Sequence, residues 1–213
     1  MTRALIKVIA AVVVLGGLGV LFVRSAQHVR SEPYEIGRHR LAGWTLAIDP
    51  SPNQSGVLLG LQPDKQTAAA LFSQVFSRTG ESLNGPVPAA IPLVLQSEFD
   101  RATAGTLTPN ALLTLARAAG LEAPTFEPRC MAHRRISEPG MTRQVYFVRF
   151  EWPALTAFRQ QAARQMRAAG GTGIDPVALS PVLIVAGSDA AFGRWLPLRA
   201  DTADDCLAPM AVK

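Results

Sequence analysis

Hydrophobic positions concentrate first in residues 8–23, an unbroken apolar run rich in Val, Leu, Ile and Gly. A helix over this run is about 24 Å long, and about 30 Å with residues 4–6. That length matches the hydrocarbon core of a bilayer if Lys7 extends its ammonium to the interface. The pair of small residues that marks a cleavage site is absent. The pattern therefore predicts a transmembrane signal anchor over residues 1–24, with a cleaved signal peptide as the alternative.

The chain becomes polar directly after this run. Residues 25–40 contain several Arg and His together with Pro33, and no apolar periodicity runs through them. They predict a juxtamembrane linker. The remaining residues, 41–213, are enough for a domain with a hydrophobic core of its own.

Within that domain, a first set of apolar patterns predicts a strand-strand-helix-strand unit over residues 41–105. Strands are expected at 41–48 and 57–61, on either side of a turn rich in Asp and Pro. A helix follows from Pro63 to about Arg78. Its expected buried face is one stripe at helical spacing: Ala68, Leu71, Phe72, Val75 and Phe76. The apolar run Ile91–Leu95 predicts the third strand of the unit.

The same order of elements recurs in a second unit over residues 129–192. A helix over 108–120, capped by Thr108 with a proline in its first turn, joins the two units. Strands are expected at 131–136 and 144–150, then a helix from Pro153 and a strand at 181–185, all about 90 positions after their counterparts. The pattern predicts an α+β fold with an internal duplication, its strands in one sheet and its helices on one face. Two unrelated α+β units are the alternative.

The charge of the chain is unevenly distributed. The net charge is +5, but four of the 21 Lys and Arg precede residue 31 and all 16 Asp and Glu follow it. A nearly neutral domain argues against nucleic-acid binding. Arginines are nevertheless dense between residues 129 and 167, which predicts either separate solvated faces or a basic surface for lipid headgroups or an acidic partner. The residues of that surface are Arg134, Arg135, Arg143, Arg149, Arg159, Arg164 and Arg167.

The two cysteines bear on the compartment of the domain. An even number of cysteines in an exported domain predicts a disulfide between Cys130 and Cys206, with two free thiols as the alternative. Positive residues flanking the anchor favour a cytoplasmic domain, but long domains translocate largely regardless of charge. We therefore expect the domain on the outer side of the membrane. A shared metal site for Cys130 and His133 is disfavoured, because their odd spacing places them on opposite faces of a strand.

No motif of nucleophilic, phosphate-binding or zinc-dependent catalysis occurs in the sequence. We expect a single-pass protein of a bacterial inner membrane with a non-enzymatic periplasmic domain and no cofactor or bound metal. That domain would bind or scaffold another envelope protein or a second copy of itself. One alternative is an envelope enzyme with a site at the ends of the repeated strands, formed by Glu98, Ser188 and Asp189. The other is a thiol- or metal-binding domain built on Cys130, His133 and Cys206.

Overall fold

The computed structural model describes residues 15, 16 and 18, then 32–199 and 205–213 except 104, 106 and 124. All but three positions of the predicted anchor lie outside this described part. Within it, no helix is both long enough and apolar enough to cross a membrane. The chain forms two compact units, Met1–Glu32 and Pro33–Lys213, and every element below belongs to the second.

The fold is α+β, as predicted, with two sheets and six α-helices among the described residues. In chain order the elements are β1 (Tyr34–Ile36), α1 (Arg38–Leu41), β2 (Thr45–Ile48), α2 (Pro52–Ser55), β3 (Val57–Gln62), α3 (Lys65–Thr79), β4 (Ile91–Leu95), α4 (Gln96–Ala102), α5 (Pro109–Ala118), β5 (Glu127–Glu138), β6 (Met141–Glu151), α6 (Pro153–Ala168), β7 (Val182–Gly187), a 3-10 helix (Phe192–Trp195) and β8 (Cys206–Val212).

The strands form two hydrogen-bonded sheets instead of the single sheet expected from the sequence. One has the order β2-β3-β4 and the other β1-β8-β5-β6-β7, and only the β1–β8 pair is parallel. Strands β4 and β7 lie side by side where the two sheets meet. Strand β4 carries Pro92, which has no N–H to contribute to a ladder. Among the described residues, β4 and β7 are in contact without a ladder of hydrogen bonds between them, so the sheets share a boundary and remain separate.

Each half of the domain has the predicted order of strand, strand, helix and strand. The order of β2-β3-β4 and of β5-β6-β7 is the same, with antiparallel neighbours in both. An irregularity of the ladder falls at Leu59 in one half and between Tyr146 and Phe147 in the other. The helices are exchanged: α3 packs on β7 of the second half, and α6 packs on β4 of the first. The two halves are thus interlocked in one domain.

The expected buried face of α3 is confirmed in part, because Leu71 and Val75 are buried and Phe72 packs partly buried against the core. Its buried positions are Thr67, Leu71 and Val75, whereas Phe76 is 50% exposed. The corresponding buried positions in α6 are Phe158, Ala162 and Met166. A helix with apolar residues at both i and i+1 has two possible faces, and packing against β7 selects one of them.

The predicted linker over residues 25–40 is wrong from residue 34 onward. Tyr34–Ile36 forms β1, which pairs in parallel with Met210–Val212 at the end of β8, and Tyr34 is buried. Three residues are too few to show a periodic pattern. Their partner lies at the opposite end of the chain, so no local signal could indicate the pairing.

The disulfide between Cys130 and Cys206 is present, as predicted. It joins β5 to the first residue of β8, with the two Cα atoms 5.7 Å apart. Strand β8 pairs with β5 around this bridge and then with β1 beyond it. The disulfide therefore secures the strand on which the position of β1 depends.

Arg159 lies inside the domain, so its predicted place on a basic surface is wrong. Its side chain is 0% exposed and forms an ion pair with Glu98, at 2.7 Å from Nη2 to Oε1. The guanidinium also donates to the carbonyl oxygens of Leu93, Asp175 and Pro176. Arg159 lies one position beyond Phe158 on the face of α6 that packs on β4. The helical stripe places it in the core despite its charge.

Replacing Arg159 by methionine should destabilise the domain strongly. Arg159→Met leaves the Glu98 carboxylate unpaired and removes the donors to the buried carbonyl of Leu93 and the partly buried carbonyls of Asp175 and Pro176. We expect a loss of about 3–5 kcal/mol in the free energy of unfolding, measured by urea denaturation. Arg164→Met is the matched control on the exposed side of the same helix, and should change this free energy by less than about 0.5 kcal/mol. Equal effects of the two substitutions would contradict the structural role of Arg159.

Removal of the disulfide should destabilise the domain even when both cysteines are replaced by alanine. The bridge closes a loop with a sequence separation of 76 residues. In the chain-entropy description such a cross-link contributes about 4 kcal/mol, which the double variant should lose in urea denaturation. Reductant should lower the stability of the native protein and leave the double variant unchanged. A native protein that is indifferent to reductant would show that the bridge does not stabilise the fold.

Candidate binding cleft

An open cleft of about 410 Å³ lies at the boundary of the two sheets. Pro92 of β4 and Ile184 of β7 line it from the two sheets, and Phe192 and Leu196 line it from the 3-10 helix and its end. Leu93, next to Pro92, belongs to the core cluster that the long helices cover. Neighbouring side chains alternate across a strand, so the cleft opens on the opposite face from those helices. Its volume is typical of small-ligand sites.

The first wall of the cleft is the turn after β2 together with α2. Asp49 donates its N–H to the carbonyl of Leu58, and its Oδ1 accepts the amide of Ser51 at 2.7 Å. Gly56 ends α2 with φ +77°, a conformation that favours glycine. A Cβ atom at Gly193 would lie 3.1 Å from the carbonyl oxygens of α2. Gly56 and Gly193 thus allow α2 and the 3-10 helix to pack closely and form a continuous wall on this side of the cleft.

The second wall is the proline-rich loop before β4. The backbone of Asn84 exchanges two hydrogen bonds with Gly187, of 2.8 and 2.9 Å, which fixes the start of the loop to β7. Pro86, Val87 and Pro88 follow, and Val87 is 97% exposed at the rim. Proline rings restrict the backbone before any ligand arrives, so this wall is largely preformed.

Asp49 supplies the charge of the cleft. The residue as a whole is only 6% exposed, yet it lines the cleft among mostly apolar residues. In the described part of the chain, none of the ion pairs includes it. The amide of Ser51 is the hydrogen-bond donor to this carboxylate among the described residues. A nearly buried carboxylate without a cationic partner is costly, and it can be compensated by a ligand that carries positive charge.

The three residues of the predicted enzyme site have local structural roles. Glu98 is bound to Arg159, and its Oε2 also accepts the amide of Leu95 at the start of α4. The hydroxyl oxygen of Ser188 accepts the amide of Gln144 at 3.0 Å. Asp189 accepts the amide of Ala191 at 2.9 Å, which forms a tight turn. Each of the three side chains therefore has a structural contact within the domain.

The thiol and metal alternative finds no matching geometry in the described residues. Cys130 and Cys206 are joined to each other, so neither sulfur is available as a thiolate ligand. Within the described ranges, no group of three or more His, Cys, Asp and Glu side chains could hold a metal ion. His133 lies instead against Tyr146, with the two rings stacked at 4.5 Å.

The remaining arginines of the predicted basic surface are divided between different surfaces. Arg134 and Arg135 are neighbours on β5, so their side chains leave opposite faces of the sheet. Arg134 pairs with Asp205, and Arg143 pairs with Glu138. Arg149 lies 3.7 Å from the sulfur of Cys206. Arg164 and Arg167 are exposed on α6. Acidic neighbours therefore offset part of this charge.

A polar cluster that the sequence did not predict lies between α3 and the β5–β6 hairpin. The carboxylate of Glu81 accepts a hydrogen bond from the side-chain amide (Nε2) of Gln144 at 2.5 Å and one from the hydroxyl of Tyr146 at 3.0 Å. Burial, followed by the contact with Glu81, raises the pKa of Tyr146. Burial also lowers the pKa of His133, whose Nε2 lies 3.2 Å from Gln144. No motif marks these residues, because they come from distant segments.

The stability of the domain should fall in mild acid because of His133. Its pKa in the folded state is below the unfolded value of 6.5, so the unfolded chain binds the proton more readily. The free energy of unfolding should therefore decrease as the pH falls below about 6.5. His133→Gln should reduce the difference between urea unfolding at about pH 7.5 and at about pH 5.5. The substitution also removes the stacking of His133 on Tyr146, but this loss affects the free energy of unfolding at both pH values and cancels in their difference. If the difference were the same in His133→Gln as in the native protein, the assignment to His133 would be contradicted.

No protein-family model matches the chain, and comparisons with curated proteins and with solved structures give no match. The residues that can carry a function are therefore identified by their geometry alone. Among them, the cleft with Asp49 combines an open volume, preformed walls and an uncompensated charge.

Proposed function

We propose that this protein is a membrane-anchored binding or scaffolding protein of a bacterial envelope, and that the cleft beside Asp49 is its binding site. Residues 1–24 would anchor it in the inner membrane in a single pass. The unit Pro33–Lys213 would lie in the periplasm and hold another envelope protein or a second copy of the chain. The observation that carries this proposal is the open cleft lined by the nearly buried Asp49, whose carboxylate forms no ion pair with the residues that the structure describes.

The periplasmic placement is supported by the disulfide. Bridges such as Cys130–Cys206 form and persist in oxidising compartments and are rare in the cytosol. The apolar run over residues 8–23 supports the anchor. With its N-terminus inside, one passage through the membrane would deliver the domain to the side where the bridge is stable.

A binding role is supported over catalysis by the groups that line the cleft. Asp49 is the titratable side chain among the described lining residues, accompanied by the hydroxyls of Ser51 and Ser55 and the amide of Gln54. General acid–base or nucleophilic catalysis usually needs a second titratable group within hydrogen-bond reach. A single carboxylate between apolar walls is suited to recognition.

We also infer that the two halves arose by duplication. They share strand order, antiparallel pairing and an irregular ladder between the second and third strands, and their helices are exchanged. The offset of 91 residues between the buried helix positions agrees with the offset between Ile91 and Val182, which begin β4 and β7. The cleft lies at the junction of the halves, where a duplicated unit acquires a surface that neither copy has alone.

Site-specific crosslinking in intact cells tests the proposed binding site. A photoreactive amino acid at Val87, on the rim of the cleft, should give one adduct of discrete size. The same amino acid at Val177, which is 71% exposed outside the cleft, should not. Ala190 is exposed and lines the cleft, so Ala190→Trp should fill the cleft and weaken the adduct at position 87. Equal adducts from both positions, or an adduct that Ala190→Trp leaves unchanged, would overturn the proposal.

A further inference from the structure

We propose that the cleft recognises a cation: the guanidinium or ammonium of a basic side chain in the partner, placed against Asp49 and flanked by apolar residues. This inference rests on the proposed function, because it names the chemical group that the cleft would bind. It follows from the juxtaposition of one nearly buried carboxylate with apolar, proline-rich walls.

The chain contains an internal comparison for Asp49. Glu98 is also a largely buried carboxylate, and the fold compensates it with Arg159 through a two-point ion pair, at 2.7 and 3.1 Å. Asp49 accepts the amide of Ser51 through Oδ1, while Oδ2 has no hydrogen-bond donor in the described part of the chain. The Glu98 carboxylate is paired from within the domain, whereas the Asp49 carboxylate belongs to a residue that lines the cleft and has one oxygen without a donor among the described residues. A charge-assisted hydrogen bond from a ligand would pair the Asp49 carboxylate as the guanidinium of Arg159 pairs the carboxylate of Glu98.

The walls of the cleft suit the stem of a basic side chain. Pro92, Ile184 and Phe192 present carbon atoms toward the volume in which a ligand would lie. Lysine and arginine place their methylene groups along apolar surface and keep the charged end at a polar site. Ser51 and Gln54 line the same wall as Asp49, and their side-chain oxygens offer further acceptors, whereas the Ser55 hydroxyl is bound to the backbone of Val57. Apolar residues next to the basic side chain would cover the proline-rich wall.

Binding of two small probes to the full-length protein tests this specificity. Butylguanidinium carries the cationic end of an arginine side chain, and butylurea is a neutral analogue of the same shape. In protein labelled at the isoleucine δ1 methyl groups, the nuclear magnetic resonance signal of Ile184 reports on the cleft. The signal of Ile136, exposed on the β5–β6 hairpin, is the reference. Butylguanidinium should shift the Ile184 signal saturably and bind at least about tenfold more tightly than butylurea.

Two further measurements assign the selectivity to Asp49. Asp49→Asn keeps an oxygen to accept the Ser51 amide and removes the charge, so the affinity for butylguanidinium should fall to that for butylurea. In the unaltered protein, raising the salt from about 50 mM to about 500 mM should weaken butylguanidinium binding and leave butylurea binding unchanged. The salt series decides the question even if the variant folds poorly.

The other outcomes separate this inference from the proposed function. If both probes shift the Ile184 signal with equal affinity, the cleft binds apolar groups without charge selection; the inference is overturned and the proposed binding site stands. If butylguanidinium shifts the Ile136 signal and leaves that of Ile184 unchanged, the cation binds elsewhere and the inference is overturned. If neither probe affects Ile184, the inference also fails, and crosslinking at Val87 decides whether a partner uses the cleft.

Discussion

The buried ion pair between Arg159 and Glu98 is the interaction on which the arrangement of the two halves depends. Its donors reach the side chain of Glu98 and carbonyl groups that include that of Leu93 in β4. Arg159 belongs to the second half, whereas Leu93 and Glu98 belong to the first. A fully buried guanidinium is tolerated only when its N–H groups are satisfied, so the geometry of the boundary between the halves is strictly constrained.

That constraint also shapes the opposite face of the same boundary. Leu93 faces the helices, and its carbonyl binds Arg159. Pro92, the next residue on β4, faces the cleft on the opposite side of the sheet, so the core contact and the proposed site are adjacent along one strand. The exchange of α3 and α6 between the halves strengthens this arrangement, because each helix packs on the last strand of the other half. The proposed site therefore lies on a rigid boundary, which suits a preformed binding surface.

The ends of the domain are secured in a second way. Strand β1 begins directly after the first residues of the unit and pairs with β8, the last strand of the chain, while the disulfide holds β8 to β5. If residues 1–24 anchor the protein as proposed, a mechanical force on the anchor is transmitted to the domain at β1. The pairing of β1 with β8 would then transmit this force to β5, to which β8 is joined by the disulfide.

The sequence by itself determined the features that depend on neighbouring residues. These are the cap of α5 at Thr108 and the order of elements in both halves. The disulfide was also predictable, because two cysteines leave one intramolecular pairing. Only the tertiary structure decided that Arg159 is buried, that Tyr34–Ile36 joins the sheet and that Asp49 lines a cleft with no cationic partner among the described residues. Caps, turns and periodicity act over a few residues. Strand pairing between the ends of the chain, and the burial of one charge among many, are settled by contacts between segments that are distant in sequence.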